Sequence, residues 1–205
     1  NDVIWFANDK TYVGVNNSTP NNPSFLLKEN EGTYNQIGNN SCAMGEFNGD
    51  NKLDYICSTQ NYFDEDLFKL GMGNGDGTFQ FAEVPQRTDS AVALYVASGD
   101  LNLDGKDDFV LVTGNFETNS LTIYVGLRNS INTGFDLTLM RRTNVIFGSL
   151  AIGDLNKDGN KDIAVITANN EGEKVLDIHL NNGTGQFSSA PDVTTSGENI
   201  DQLFI

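Results

Sequence analysis

One acidic nine-residue pattern occurs three times in this chain at intervals of 54 residues: Glu-Phe-Asn-Gly-Asp-Asn-Lys-Leu-Asp at 46–54, Asp-Leu-Asn-Leu-Asp-Gly-Lys-Asp-Asp at 100–108 and Asp-Leu-Asn-Lys-Asp-Gly-Asn-Lys-Asp at 154–162. A fixed period of this size means one supersecondary unit used repeatedly, each copy burying its apolar faces against its neighbours. Inside each copy, oxygen-bearing side chains stand at positions 1, 3, 5 and 9. Alternate residues of a tightly curled loop converge, so this spacing describes a cation cage.

The candidate ligands are Glu46, Asn48, Asp50 and Asp54 in the first loop, Asp100, Asn102, Asp104 and Asp108 in the second, and Asp154, Asn156, Asp158 and Asp162 in the third. The main-chain carbonyls of Lys52, Lys106 and Asn160, at position 7, complete each set. Position 6 must reverse the chain. Gly105 and Gly159 do so without steric cost, and Asn51 is the next most tolerant residue type. Hard oxygens without Cys or His argue against zinc and copper. Five protein oxygens favour Ca²⁺ over Mg²⁺, which keeps more of its water. The loops are not EF-hands, because the position-12 glutamate is missing and the flanks read as strands. The simpler alternative is a set of Asx-rich turns, and three copies in register weigh against it.

Short apolar runs bracket every loop: 41–44 and 55–59, 91–97 and 109–113, 147–152 and 163–167. They are β-branched, bounded by Gly and Asp, and read as strands buried on both faces. A third strand is expected at 66–70, 121–125 and 175–180, and a fourth near Phe79, Phe135 and Phe187. Four strands per unit of this length is the pattern of a β-propeller blade, so the fold class is all-β. The expected units are 39–90, 91–144 and 145–198. Residues 1–38 supply strands two to four of another unit, with Asp2 at position 9 of a loop mostly before residue 1. Residues 199–205 read as the first strand of a next blade. Either the propeller continues beyond both ends, or the terminal pieces meet and close a ring of four. The first is favoured because larger rings are commoner.

These units resemble the FG-GAP/VCBS repeats of integrin α-subunit head domains and of many secreted proteins. The residues that carry the resemblance are 99–112, 153–166 and, less closely, 45–56, with the turns Gly-Asp-Gly-Thr-Phe at 75–79 and Gly-Thr-Gly-Gln-Phe at 183–187. The resemblance implies a propeller, usually seven-bladed, with Ca²⁺ in hairpin loops on one face and a protein or glycan ligand read on a surface away from the metals. The first loop departs from the pattern at Glu46 and Asn51 and is expected to be the weakest site. Fold alone does not name the partner.

The formal charge of −16 and pI near 4.1 exclude nucleic acid as a natural partner. Three Ca²⁺ would offset six of those charges. Extracellular calcium modules work at dissociation constants of about 0.1–1 mM, so such loops fill outside the cell, and an extracellular setting is expected. Cys42 and Cys57 flank the first loop and occupy core register. They are either two small buried hydrophobes or a cross-strand disulfide. Asn16, Asn17, Asn39 and Asn182 each begin an Asn-X-Ser/Thr sequon, a candidate glycosylation site in a secreted eukaryotic protein. No membrane-spanning stretch or signal peptide is seen in the sequence.

No catalytic constellation emerges, and the chain is expected not to be an enzyme. His179 is the sole histidine and alternates with apolar residues, which suits a structural or surface role. The Gly-rich run 71–77 reads as a hairpin turn rather than a phosphate loop, and the single Trp5 argues against a lectin with one aromatic platform per blade. The expected function is calcium-stabilised recognition or adhesion. The alternatives are an accessory domain of a secreted carbohydrate-active enzyme and a structural repeat of an extracellular fibre.

Overall fold

The computed structural model describes residues 3–7, 10–16, 19, 24–31, 41–58, 67–82, 91–129, 134–143, 148–169 and 171–196. Asp2, Asn17, Asn39 and residues 199–205 lie outside the described residues. Every regular element among those described is a β-strand. The first sheet has three strands, β1 (Val3–Ala7), β2 (Lys10–Asn16) and β3 (Phe25–Glu31). The second comprises β4 (Cys42–Gly45), β5 (Asp54–Ser58), β6 (Phe68–Gly73) and β7 (Phe79–Ala82). The third comprises β8 (Val92–Gly99), β9 (Asp108–Asn115), β10 (Ser120–Arg128) and β11 (Phe135–Thr143). The fourth comprises β12 (Leu150–Gly153), β13 (Asp162–Ala168), β14 (Lys174–His179) and β15 (Val193–Ser196). Sequential strands pair antiparallel throughout each sheet.

β8 lies against both β4 and β12, so the first strands of neighbouring sheets meet side by side. The four-stranded sheets thus stack as blades of a propeller. Strand β9 shows why its sequence is an unbroken apolar run. Phe109 and Leu111 face the second sheet, in the cluster with Phe47, Ile56 and Phe68. Val110 and Val112, pointing the other way, join Leu101 of their own unit's loop and Ile163 and Val165 of the fourth sheet. A blade with neighbours on both faces has no polar side to show, hence no alternation.

The residue after the position-9 Asp decides what the third strand can carry. Tyr55 pairs with Gly71 and Phe109 with Gly126. A Cβ on either glycine would lie 2.4 Å from the facing ring, so the ring occupies the space of the missing side chain. In the fourth sheet the smaller Ile163 faces His179 instead. The pair is complementary in volume, large with none or medium with medium, as close packing requires.

The fourth strand of the last unit starts at Val193, not near Phe187 as the sequence suggests. Phe187 packs against the core between the third and fourth sheets, as a plug ahead of an irregular stretch. Pro191 within that stretch lacks an N–H for a ladder. The Asp192 amide donates to the Ile178 carbonyl at 2.9 Å, and Asp192 Oδ2 accepts from the Leu180 amide at 2.7 Å, which seats the strand that begins at the next residue.

Candidate metal centres

Each acidic loop joins the first and second strands of its sheet, β4 to β5, β8 to β9 and β12 to β13. Position 9 is the first residue of the second strand, opposite the glycine that ends the first: Asp54 with Gly45, Asp108 with Gly99, Asp162 with Gly153. All three aspartates are fully buried. Burying a bare carboxylate is costly, and the same two amides answer it in every copy. One oxygen accepts from the position-2 amide: Phe47 at 2.9 Å, Leu101 at 3.0 Å, Leu155 at 2.8 Å. The other accepts from the last residue of the third strand, Gly73 at 2.8 Å and Arg128 at 2.7 Å, or from just beyond it, Asn181 at 2.9 Å. One side chain therefore ties the loop to two strands of its blade.

At Asp54 and Asp108 these bonds do not fully repay the burial. Burial pushes Asp108 up to about 6, against the pull of the Arg128 and Leu101 amides, and the charges of Asp104 and Asp100 push it further. Asp54 is raised for the same first reason, opposed by the Gly73 and Phe47 amides and reinforced by Asp50 and Glu46.

Positions 1, 3 and 5 lie above this buried hinge, half-buried or exposed, and bend the loop through its own amides. In the second loop Asp100 accepts from the amides of Asp104 and Gly105 at 3.2 and 3.0 Å, Asn102 Oδ1 from Asp104 at 3.0 Å, and Asp104 Oδ1 from Lys106 at 2.9 Å. The third loop repeats this with Asp154, Asn156 and Asp158, the last held below its usual value by the Asn160 amide and the Asn156 side chain. In the first loop Glu46 Oε1 reaches further back. It accepts from Asn48, Gly49 and Asp50 at 3.1, 2.5 and 3.2 Å, while Asp50 binds the Lys52 amide at 2.9 Å and the Lys52 ammonium at 3.1 Å. Residues 52, 106 and 160 thus stand at the closing turn through these amide bonds.

Two positions in each loop take positive φ. Position 6 does so at Asn51 (60°), Gly105 (82°) and Gly159 (91°), and position 4 at Gly49 (83°), Leu103 (61°) and Lys157 (67°). Sequence reasoning found the first and missed the second, because Leu and Lys give no hint of a left-handed backbone. The one available signal was Gly49, which stands in the copy whose position 6 is not glycine.

Among the described residues no three Asp, Glu, His or Cys side chains already surround one point. The donor set nonetheless fits a hard cation in kind: carboxylates at 1, 5 and 9 and an amide oxygen at 3, with burial first and then the acidic neighbours raising the pKa of Asp54 and Asp108. Apart from Glu46 Oε1, which takes three amides, each accepting oxygen keeps a second lone pair, and the amide bonds hold it in orientation.

Cys42 and Cys57 face each other across β4 and β5, Cα atoms 4.1 Å apart, with their sulfurs joined as a disulfide directly behind the first loop. His179 is fully buried. One ring nitrogen, Nδ1, lies 3.1 Å from the Ser188 carbonyl and the other has no partner among the described residues. Burial lowers its pKa. No access remains for it to serve as an exposed acid or base. Asn182 is exposed at a turn, its Oδ1 accepting from the Thr184 amide and hydroxyl at 3.1 and 2.6 Å. Asn16 ends β2.

Stacked four-stranded blades with an acidic loop at each first hairpin define a repeat-built β-propeller. Residues 46–111 and 100–165 each match the FG-GAP-like repeat. Together these spans take in more than half of the chain, which belongs to the FG-GAP-like repeat family. No individual curated protein matches it.

Proposed function

We propose that this chain is a non-enzymatic, calcium-stabilised recognition propeller that works outside the cell and binds a protein or glycan. The observation that carries the reading is the repeated hinge. Three buried aspartates, each clamped by the same two amides, underlie three acidic loops, and burial and charge repulsion raise two of them, Asp54 and Asp108. Glu46, Asn48, Asp50 and Asp54, with their counterparts 100, 102, 104 and 108 and 154, 156, 158 and 162, would hold the ion, helped by the carbonyls of 52, 106 and 160. The ion would supply the positive charge that each hinge lacks. With free Ca²⁺ near millimolar and a dissociation constant of about 0.1 mM, each site adds about 1.4 kcal/mol. Three sites add about 4 kcal/mol, a sizeable share of an ordinary stability of about 5–15 kcal/mol.

The extracellular setting follows from affinities of that order and from the Cys42–Cys57 disulfide, which oxidising compartments preserve. Asn182, exposed in its sequon, is the described asparagine best placed to carry a glycan. Repetition of the loops at one structural hinge makes them clamps, leaving the remaining surfaces for a ligand. Glycan arrays and cell-surface binding, each with and without chelator, test the reading. Calcium-dependent binding to a glycan or surface protein is expected, and no binding to either class contradicts it.

A further inference from the structure

We propose that the three loops take up cations cooperatively, and that Asp107 and Asn181, neither of them a ligand, carry the coupling. The inference rests on the calcium reading above. Its basis is a continuous line of hydrogen bonds and main-chain links that passes from loop to loop across the blade boundaries.

The line starts at Glu46, position 1 of the first loop. Its amide donates to Asp107 Oδ2 at 2.8 Å, and its carbonyl accepts from the Asp107 amide at 2.8 Å. Asp107 can approach because position 0 of the first loop is Gly45, where a Cβ would stand 2.7 Å from that same carboxylate oxygen. Asp107 is joined directly to Asp108, the buried closing residue of the second loop, whose Oδ2 accepts from Leu101. The Leu101 carbonyl then accepts from Asn181 Nδ2 at 2.7 Å, and the same nitrogen donates to the Lys161 carbonyl at 2.9 Å. The Asn181 main-chain amide donates to Asp162, the closing residue of the third loop. Asn181 is buried, and its Oδ1 accepts from the amides of Gly183 and Gly185. Donors meet carbonyls and the acceptor meets amides, so its side chain has one consistent orientation.

A cation in any loop immobilises positions 1 and 9. The bridges end on those positions or on the residues beside them, Glu46 and Asp107 at the first boundary and Leu101, Lys161 and Asp162 at the second, so ordering one loop fixes part of the next. The second cation then meets a smaller ordering cost, which is positive coupling without a change of shape. Merely structural clamps would stabilise the blades and leave the three affinities independent.

A double-mutant design separates the two on the whole chain, with Ca²⁺ alone as the probe. Occupancy of the second loop is followed at the Gly105 amide by NMR. Asp158→Asn, which weakens the third loop, is expected to lower second-loop affinity roughly fivefold or more, within the usual range of coupling. In an Asn181→Ala background the same change should leave second-loop affinity unaltered. The first boundary repeats the test independently with Asp50→Asn and Asp107→Ala, so failure of one variant to fold leaves the other pair to decide. Second-loop affinity indifferent to both ligand changes overturns the proposal, as does coupling that survives both Asn181→Ala and Asp107→Ala. Absence of Ca²⁺ binding at every loop overturns the calcium reading and this inference together. Binding without coupling overturns only this inference.

Discussion

The first loop and the second reach the same hinge by different means above it. Below, the geometry is shared: Asp54 and Asp108 are both fully buried and both clamped by a position-2 amide and a third-strand amide. Above, Glu46 reaches back to the amides of positions 3 to 5, where Asp100 holds those of positions 5 and 6. The glycine sits at position 4 in one and position 6 in the other, although both positions take positive φ in both loops. The first loop also has the Lys52 ammonium on Asp50 and a disulfide behind it. The hinge is the invariant part, and the loop above it tolerates different side-chain lengths and different placements of the glycine. The first loop carries local supports of its own, and under the proposed calcium reading it would rely less on its ion.

The largest effect expected is at the hinge. Asp54→Ala and Asp108→Ala each leave two buried amides without an acceptor, at about 4 kcal/mol in all. Chemical denaturation should show the two losses equal to within about 1 kcal/mol. A near-neutral Asp54→Ala would break the comparison at its base. Next is the disulfide. Replacing Cys42 and Cys57 by Ala should cost about 3 kcal/mol for a loop of this size, read as a lower midpoint in denaturant. The same reduction in affinity at all three loops would show that the bridge does not serve the first loop locally.

A smaller effect should come from position 4. Gly49→Ala forces a side chain into left-handed backbone at a cost of roughly 1 kcal/mol, and Leu103→Gly relieves that cost by up to about the same amount. Opposite signs in thermal unfolding are the expected outcome, and a stabilising Gly49→Ala contradicts it. The smallest effect concerns His179, which the second and third sheets replace by glycine. Burial depresses its folded pKa below the unfolded value near 6.5. Its contribution is therefore present above that value and lost as pH falls toward the folded pKa, with a slope of at most about 1.4 kcal/mol per pH unit. Between pH 7.5 and 5.5 the wild type should lose stability relative to His179→Gln. Parallel profiles would remove His179 from the account.

The period of 54, the strands beside each loop and the position-9 aspartates were legible because they obey rules that act along the chain: turn chemistry, apolar runs and register. The coincidence of Cys42 with Cys57 followed from the same register. What stayed hidden depends on neighbours in space. Nothing in the identity of Leu103 or Lys157 reveals a positive φ imposed by the loop around it. Phe187 looks like a strand opener until the core between two sheets claims its ring. Gly71 and Gly126 look like turn residues, and only the rings of Tyr55 and Phe109 explain them. Asp107 and Asn181 look like ordinary loop polar residues, and their roles appear only once the adjoining blade is in place.

Calcium titration calorimetry on the metal-free chain tests the central claim most directly. The account predicts three binding events, the first loop contributing the weakest, with removal of calcium lowering stability by about 4 kcal/mol at millimolar free ion. A titration with no heat of binding, joined to an unfolding midpoint that does not move when calcium is added, would contradict it.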